Sequence, residues 1–325
     1  MPPQILIIGL REIGTTIGLA LRQLDHPPTL FGYDLDKEAA GAALEVGAYE
    51  RRVLDPRKTA REVDLVVLAL PPDEPDDLFG DLVNALKPGA TLLDLTPQAH
   101  SPEHASAAQD QPGRVIRGTP VLSTERLLEP DPMLTVDVDL FRGGMLGLAI
   151  SPETPEAGVA LALSIAEALG ASPFFIDPAE LEYVVTAVDL LPAMLAVMLL
   201  RSLSDAPGWV NVQKLAGRPF LDYVDHATLL REQLTDQLWG QRQSLLSQLD
   251  RLSQEIGAVQ AALGAETSDQ LQDLVARGLA ARAEWMNTRF SGRMRSDGDT
   301  QPPRRGLLST LFGLGPRRPP RGDRD

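Results

Sequence analysis

An α/β fold, with a doubly wound sheet in the amino-terminal half and an all-α helical domain after it, is predicted by three features of the sequence. The first is the stretch Gln4 to Gly14, QILIIGLREIG, in which the apolar run Ile5 to Ile8 meets Gly9 and leads into the helical spacing Ile13, Ile17, Ala20, Leu21, Leu24. The second is the recurrence of short apolar runs, each closed by turn residues and separated by helical patterns, through residue 176. The third is the change of character from Pro178 onward to long helical patterns. Together they describe a Rossmann-like dinucleotide-binding domain over residues 1–177, an all-α helical domain over 178–290 and a basic tail over 291–325.

Taken in order, the strand at Ile5 and the helix after Gly9 are followed by a second strand, Thr29 to Asp34, and a helix from Lys37 to Leu44. Asp64 to Leu70 is a buried strand stopped by Pro71 and Pro72, and the acidic run Asp73 to Asp77 starts the next helix, with its carboxylates at the positive helix end. The turn Lys87-Pro88-Gly89 precedes the strand Ala90 to Leu95. Ser101, with Pro102 behind it, caps a short helix through Ala108, and Arg114 to Gly118 is a further strand, giving one parallel sheet with helices on both faces. The alternation Leu134, Val136, Val138, Leu140 within Glu129 to Arg142 is an edge strand or an extended insertion. Met145 to Ile150 is a strand, Thr154 to Leu169 an amphipathic helix ended by Gly170, and Phe174 to Ile176 a last apolar run. Beyond it, Glu180 to Leu203 is apolar around most of its circumference, which calls for burial between domains or subunits. Trp209 to Leu215 continues in helix, Gly217-Arg218-Pro219 breaks it, and Val224 to Ile256 and Ser268 to Asn287 complete the domain.

The 325 residues, 43% of them apolar, suffice for two cores. Cysteine is absent, which removes disulfides, thiolate-bound metal and thiol catalysis. The start MPPQILIIG has no basic leader and enters a core strand directly, so a cytoplasmic location is expected. The longest apolar stretch of the second half, Leu190 to Leu200, is shorter than the ~20 residues a membrane span needs, so no transmembrane segment is expected and the stretch reads as an interface helix. A formal charge of −15 speaks against nucleic acid as partner of the folded body. The tail reverses that sign, with eight arginines against four aspartates from Ser291 onward. Its composition reads as disordered, apart from an apolar island of Leu307, Leu308, Leu311, Phe312 and Leu314 between paired arginines, which either belongs to an uncommitted soluble tail, the plainer reading, or docks on a protein or an anionic surface.

The first turn carries the cofactor expectation. Against the pattern G-x-G-x-x-G the chain offers Gly9, Arg11 and Gly14, and the carboxylate of Asp34 stands at the end of the second strand, about 20 residues on. Asp34 favours NAD over NADP because it accepts hydrogen bonds from free ribose hydroxyls and repels a 2′-phosphate; in the plainer reading it caps the helix of Asp36 to Leu44. Arg11 either fills the space that the pyrophosphate needs or offers it a guanidinium.

The strand end DLVVLALPP, the strand KPGATLLDLT, the stretch RGTP at Arg117 to Pro120, the helix DPAELEYVVTAVDLLPAMLA and the region beginning KLAGRPFLDYVDHATLL resemble the prephenate/arogenate dehydrogenase family. The resemblance covers roughly residues 4 to 290. It implies a nucleotide-binding fold, a helical domain through which two chains interlock, and NAD(P)-dependent oxidative decarboxylation of a cyclohexadienyl acid in tyrosine biosynthesis.

The ligand positions of that pattern are changed here. Where the family has a serine and a lysine in a DVGSVK-like stretch, this chain reads Asp94, Leu95, Thr96, Pro97, Gln98, Ala99. The histidine of a GHPM-like turn becomes Thr119, whose hydroxyl is far too weak a proton acceptor to serve as a base near neutral pH. The SHLPH-like stretch loses its imidazoles, with Asp189 and Ala193 in the region, and the arginines of an FRDxTR-like motif are replaced by Leu221 and Asp225. A carboxylate facing a dicarboxylate repels it, so prephenate turnover by the family route is not expected. Of the four histidines, His100 and His104, four apart near the sheet edge, and His226, beside Asp225, are the remaining candidates for a base; no metal is expected. His26 carries no expectation. A homodimer with a structural, binding or regulatory role is the leading reading, and an NAD-dependent oxidoreductase acting on a different small molecule the alternative.

Overall fold

The computed structural model describes residues 2–71, 78–96, 110–111, 113–129, 136–228 and 234–291. Eight strands form one sheet in the order β3-β2-β1-β4-β5-β6-β7-β8. They are β1 (Gln4–Ile8), β2 (Thr29–Tyr33), β3 (Arg51–Arg52), β4 (Leu65–Leu68), β5 (Thr91–Asp94), β6 (Val115–Val121), β7 (Met145–Ala149) and β8 (Ser172–Ile176). Strand β1 lies between β2 and β4, pairing Ile5 with Leu30 on one side and with Leu65 on the other.

Side chains leave a strand alternately, so β1 feeds two cores at once. Ile5 and Ile7 join Val67, Leu93 and Ile116 under α1 (Glu12–Arg22), α2 (Lys37–Glu45) and α6 (Glu156–Ala168). Leu6 and Ile8 join Val66, Leu68 and Leu92 under α3 (Pro56–Ala60) and α4 (Phe79–Ala85). A strand buried on both faces must be apolar at every position, and that is why ILII could be read without ambiguity.

The strands from β1 to β6 pair in parallel, as expected, and the direction changes at one place beyond them. β6 and β7 run antiparallel, with Thr119 opposite Gly147 and Val121 opposite Met145, whereas the other pairs are parallel. The chain between them carries only the short helix α5 (Thr124–Leu127) and turns over 138–143 among the described residues. Without a full crossover, the return strand comes back in the opposite direction. Residues 136–142 are turns and extended chain, with Leu140 and Phe141 plugged into the core, so the described part of the Glu129 to Arg142 segment is an insertion and contains no strand. The acidic helix start at Asp73 to Asp77, the helix Ser101 to Ala108 and the apolar island of the tail lie outside the described residues.

Capping is set by local side chains. Asp36 accepts from the Glu38 amide at 2.8 Å and caps α2, and Asp55 accepts from Arg57 at 3.1 Å and from Lys58 at 3.3 Å ahead of Pro56. The reading of Asp34 as the cap of α2 is therefore corrected to Asp36. Replacing Asp36 with alanine is expected to lower stability by about 0.5–2 kcal/mol, read from chemical unfolding.

The helical domain is built on one continuous helix of three parts: α7 (Pro178–Val185), a π-helical turn (Thr186–Leu190) and α8 (Leu191–Ser204). Pro192 has no N–H to give to the preceding turn, and the helix widens just before it, the Leu191 amide reaching back five residues to the Thr186 carbonyl. Gln248 supplies its side-chain amide to the Tyr183 carbonyl at 3.0 Å where the register changes.

The continuity corrects the length argument made from the sequence. Glu180–Ser204 is a single helix of 25 residues with a mean hydropathy of 2.1 over its most apolar window, and by length and composition alone it could cross a membrane. It packs instead against the rest of a helical domain: α9 (Trp209–Leu215), α10 (Arg218–Val224), a 3₁₀ turn (Asp225–Thr228), α11 (Leu234–Gly240), α12 (Arg242–Leu263) and α13 (Asp269–Ser291). The long helix expected over Val224 to Ile256 is thus broken, by the 3₁₀ turn and again at Gly240-Gln241, and its last part runs on to Leu263. Gly217 precedes α10, and Pro219 sits in that helix's first turn, where a missing N–H costs nothing. At the far end, Arg289 on α13 donates to the Leu122 carbonyl at 2.8 Å and ties the last helix back to the sheet domain.

Candidate functional site

The carboxyl ends of the parallel strands form the edge at which open α/β sheets take ligands. At the end of β1, Gly9 has φ +87° and donates its amide to the Tyr33 carbonyl at 3.0 Å. A Cβ on Gly9 would lie 2.4 Å from the Ala69 carbonyl oxygen, so the turn passes against β4 with no room for a side chain. Thr15 returns its hydroxyl to the Leu10 carbonyl at 2.7 Å and is buried.

Arg11 is the residue before α1, with φ −82°, and its side chain is exposed. That backbone is open to any residue, so the departure from glycine introduces no strain. Asp34, only 6% exposed, holds the turn in place: one oxygen accepts from the Leu10 amide at 2.6 Å and the other from the Asp36 amide at 2.8 Å. Each carboxylate oxygen retains a second acceptor direction.

Further along the edge, β5 and β6 bring a polar group together. Asp94, at the end of β5, is buried and accepts from the Thr96 amide at 3.0 Å; Thr96 is 4% exposed. Asp94 is in register with Arg117 on β6, and Arg117 with Ala149 on β7. Strand alternation sets Asp94, Thr96, Arg117 and Thr119 on one face of the sheet, the face on which Ala149 packs with Leu181 and Val185 of α7. Arg117 is the functional candidate that reading the sequence passed over, because an arginine reads as surface. The available signal was its alternation with the buried Val115 and its register with Asp94. Burial pushes its guanidinium below the usual arginine range, and the carboxylates of Asp94 and Glu182 pull it back up.

The helical domain contributes less than expected. Ala193 is packed with Leu190, Leu234 and Leu238 in the interior, where the methyl group serves the core. Asp189 lies in the π-helical turn and is half-buried. Leu221 on α10 and Asp225 in the 3₁₀ turn are exposed. His226 faces the carbonyls of Asp222 and Tyr223, each 3.1 Å from Nδ1, so this nitrogen carries the proton and the ring is fixed to its own turn. That arrangement replaces the oriented base drawn from its neighbour Asp225. His100 and His104 lie outside the described residues. Among the described residues, no group of three or more His, Asp or Glu side chains is arranged to hold a metal ion.

A parallel sheet with a glycine turn at β1, a carboxylate at the end of β2 and a helical domain behind the last strands defines the class: a dinucleotide-binding α/β domain joined to an all-α domain. Residues 17–172 match the family model for the prephenate dehydrogenase nucleotide-binding domain. The whole fold is that of the prephenate and arogenate dehydrogenases. The prephenate dehydrogenase of A. aeolicus, solved in complex with hydroxyphenyl propionate and NAD+, is 18% identical and superposes with a TM-score of 0.71 over 87% of this chain and 98% of its own. The arogenate dehydrogenase of Synechocystis is 20% identical, with a TM-score of 0.68 over 87% of this chain and 99% of its own. No curated protein matches the chain in sequence.

Proposed function

We propose that the protein is a homodimeric, prephenate/arogenate dehydrogenase-like protein that does not turn over prephenate by an imidazole-based route and acts in binding or regulation. The observation that carries this reading is Thr119. It occupies β6, opposite Gly147, at the position where the resemblance expects the catalytic histidine, and its hydroxyl cannot act as a base near neutral pH. Ala193, packed in an apolar cluster, and Leu221 and Asp225, both exposed, support the same reading. In this reading residues 1–177 are the nucleotide-binding unit, 178–290 the dimerisation unit and 291–325 a basic docking segment, in a cytoplasmic protein.

A second reading, an NAD-dependent oxidoreductase acting on a different small molecule, draws support from the first turn. Gly9 and Gly14 keep their close approaches, Arg11 points to solvent and Asp34 has acceptor capacity left, so the residues present fit a dinucleotide. Arg11 and the amino-terminal end of α1 would hold the pyrophosphate, with Glu12 of the first helical turn offsetting part of the favourable charge, and Asp34 would hold the adenosine ribose. A bound nicotinamide would supply hydride transfer.

Titration calorimetry with NAD+, NADH and NADPH separates the readings. Saturable binding of NADH, about tenfold or more tighter than NADPH because Asp34 repels a 2′-phosphate, is the expected result for a nucleotide-binding protein. No heat up to millimolar NAD+ or NADH removes the oxidoreductase reading. Steady hydride transfer from prephenate or arogenate would overturn the proposal of lost family catalysis.

A further inference from the structure

We propose that Arg117 is the anion-holding residue of the β5–β6 sheet edge beneath α7 and, once that edge opens to a ligand, receives the carboxylate of a small monocarboxylic molecule. The inference rests on the reading that this edge of the sheet still takes a small molecule, and it deepens that reading by naming the ligand class. Guanidinium cannot shed its charge inside a protein, so each buried N–H must find an acceptor. For Arg117, Nε and Nη2 are buried from solvent and have no hydrogen-bond partner among the described residues.

An arginine serving only as a latch between sheet and helix would direct this edge of its fork at Asp94 or Glu182. Both carboxylates are close enough to stabilise its charge, yet neither accepts from Nε or Nη2. Two parallel N–H groups without acceptors match the two oxygens of a carboxylate. Thr96, on the same face of the sheet and 96% buried, has a hydroxyl that likewise lacks a partner among the described residues, and Thr119 stands half-buried two residues beyond Arg117.

The surrounding charge limits what enters. Asp94 and Glu182 already set two negative charges beside the one guanidinium, so a ligand's carboxylate must be held by direct hydrogen bonds to the fork, and each further negative charge is repelled. The ligand is therefore a monocarboxylate, and dicarboxylates and phosphates are disfavoured.

The test uses the full chain, with 3-(4-hydroxyphenyl)propionate and its uncharged primary amide as probes, followed by calorimetry; NADH is titrated separately. The acid is expected to bind at least tenfold tighter than the amide. Arg117→Gln is expected to abolish that preference, weakening the acid tenfold or more with the amide unchanged, and Arg117→Lys to restore part of it. Equal binding of acid and amide to the native chain, or a preference for the acid that survives Arg117→Gln, overturns the proposal. If Arg117→Gln does not fold, Thr96→Val decides, with a loss of threefold or more for the acid alone supporting the proposal and no loss overturning it. Binding of NADH without either probe rejects the carboxylate site and leaves the nucleotide reading standing. Binding of the acid without NADH supports the site and rejects the oxidoreductase reading.

Discussion

Gly14→Ala is expected to unfold the amino-terminal domain or to cost it about 3 kcal/mol or more, the upper end of what overpacking does. A methyl group at this position would stand 1.8 Å from the Gly9 carbonyl oxygen and 3.0 Å from its carbonyl carbon. Both are backbone atoms, and Gly9 cannot yield, since its own Cα passes against the Ala69 carbonyl. The first helix therefore rests on the first strand through two glycines in contact, and moving either displaces a strand buried on both faces. Gly41→Ala supplies the control. It lies within α2 with nothing inside 4 Å of the added carbon, so alanine there is expected to stabilise by about 0.5–1 kcal/mol. Chemical unfolding followed by far-ultraviolet circular dichroism measures both, and a stable Gly14→Ala chain would contradict the packing described.

Charging the long helix should have an effect of similar size on assembly. Only 28% of the most apolar window of Glu180–Ser204 is covered within one chain, and Val184 and Val188, one turn apart, are left exposed. Uncovered apolar surface of this kind requires a partner, and a second copy presenting the same helix satisfies it symmetrically. Burying a valine contributes about 1.5–3 kcal/mol, so Val184→Glu with Val188→Glu is expected to raise the dimer dissociation constant about a thousandfold or more. Light scattering after size exclusion should then report a single 35.1 kDa chain in place of two. A native chain that is already monomeric at micromolar concentration would overturn the assembly itself.

The two domains differ in how far their sequence could be read. Ile5 to Ile8 and Leu65 to Leu68 are apolar at consecutive positions because both faces of the sheet are covered, and such runs leave little choice. Strand direction is not written in that pattern, so Met145 to Ala149 was legible as a strand while its antiparallel pairing with β6 was not. The cap of α2 was misplaced by two residues because Asp34 and Asp36 have the same chemistry; what separates them is that Asp34 reaches across to Leu10, a contact between distant parts of the chain. Glu180 to Leu203 was legible as one helix, while the widened turn just before Pro192 that keeps its axis running was not. Of the candidate site, Gly9, Gly14 and Asp34 were readable from spacing alone. Arg117 was not, because its importance comes from standing beside Asp94 on the neighbouring strand, a pairing between distant parts of the chain that alternation with Val115 only hints at.

The hydrogen bond from Arg289 to the Leu122 carbonyl fixes where the chain leaves the folded body. Leu122 follows directly on the last residue of β6, at the same sheet edge as Thr119. Ser291, two residues beyond Arg289, ends the described chain close to this edge of the sheet. If residues 291–325 dock a partner as proposed, that partner would be held next to the edge of the sheet that carries Thr119, at an effective local concentration that a short flexible link sets on the order of millimolar. A partner with weak affinity for that edge itself would be held there by leash, and cutting the chain after Ser291 would release it without altering a single residue of the edge.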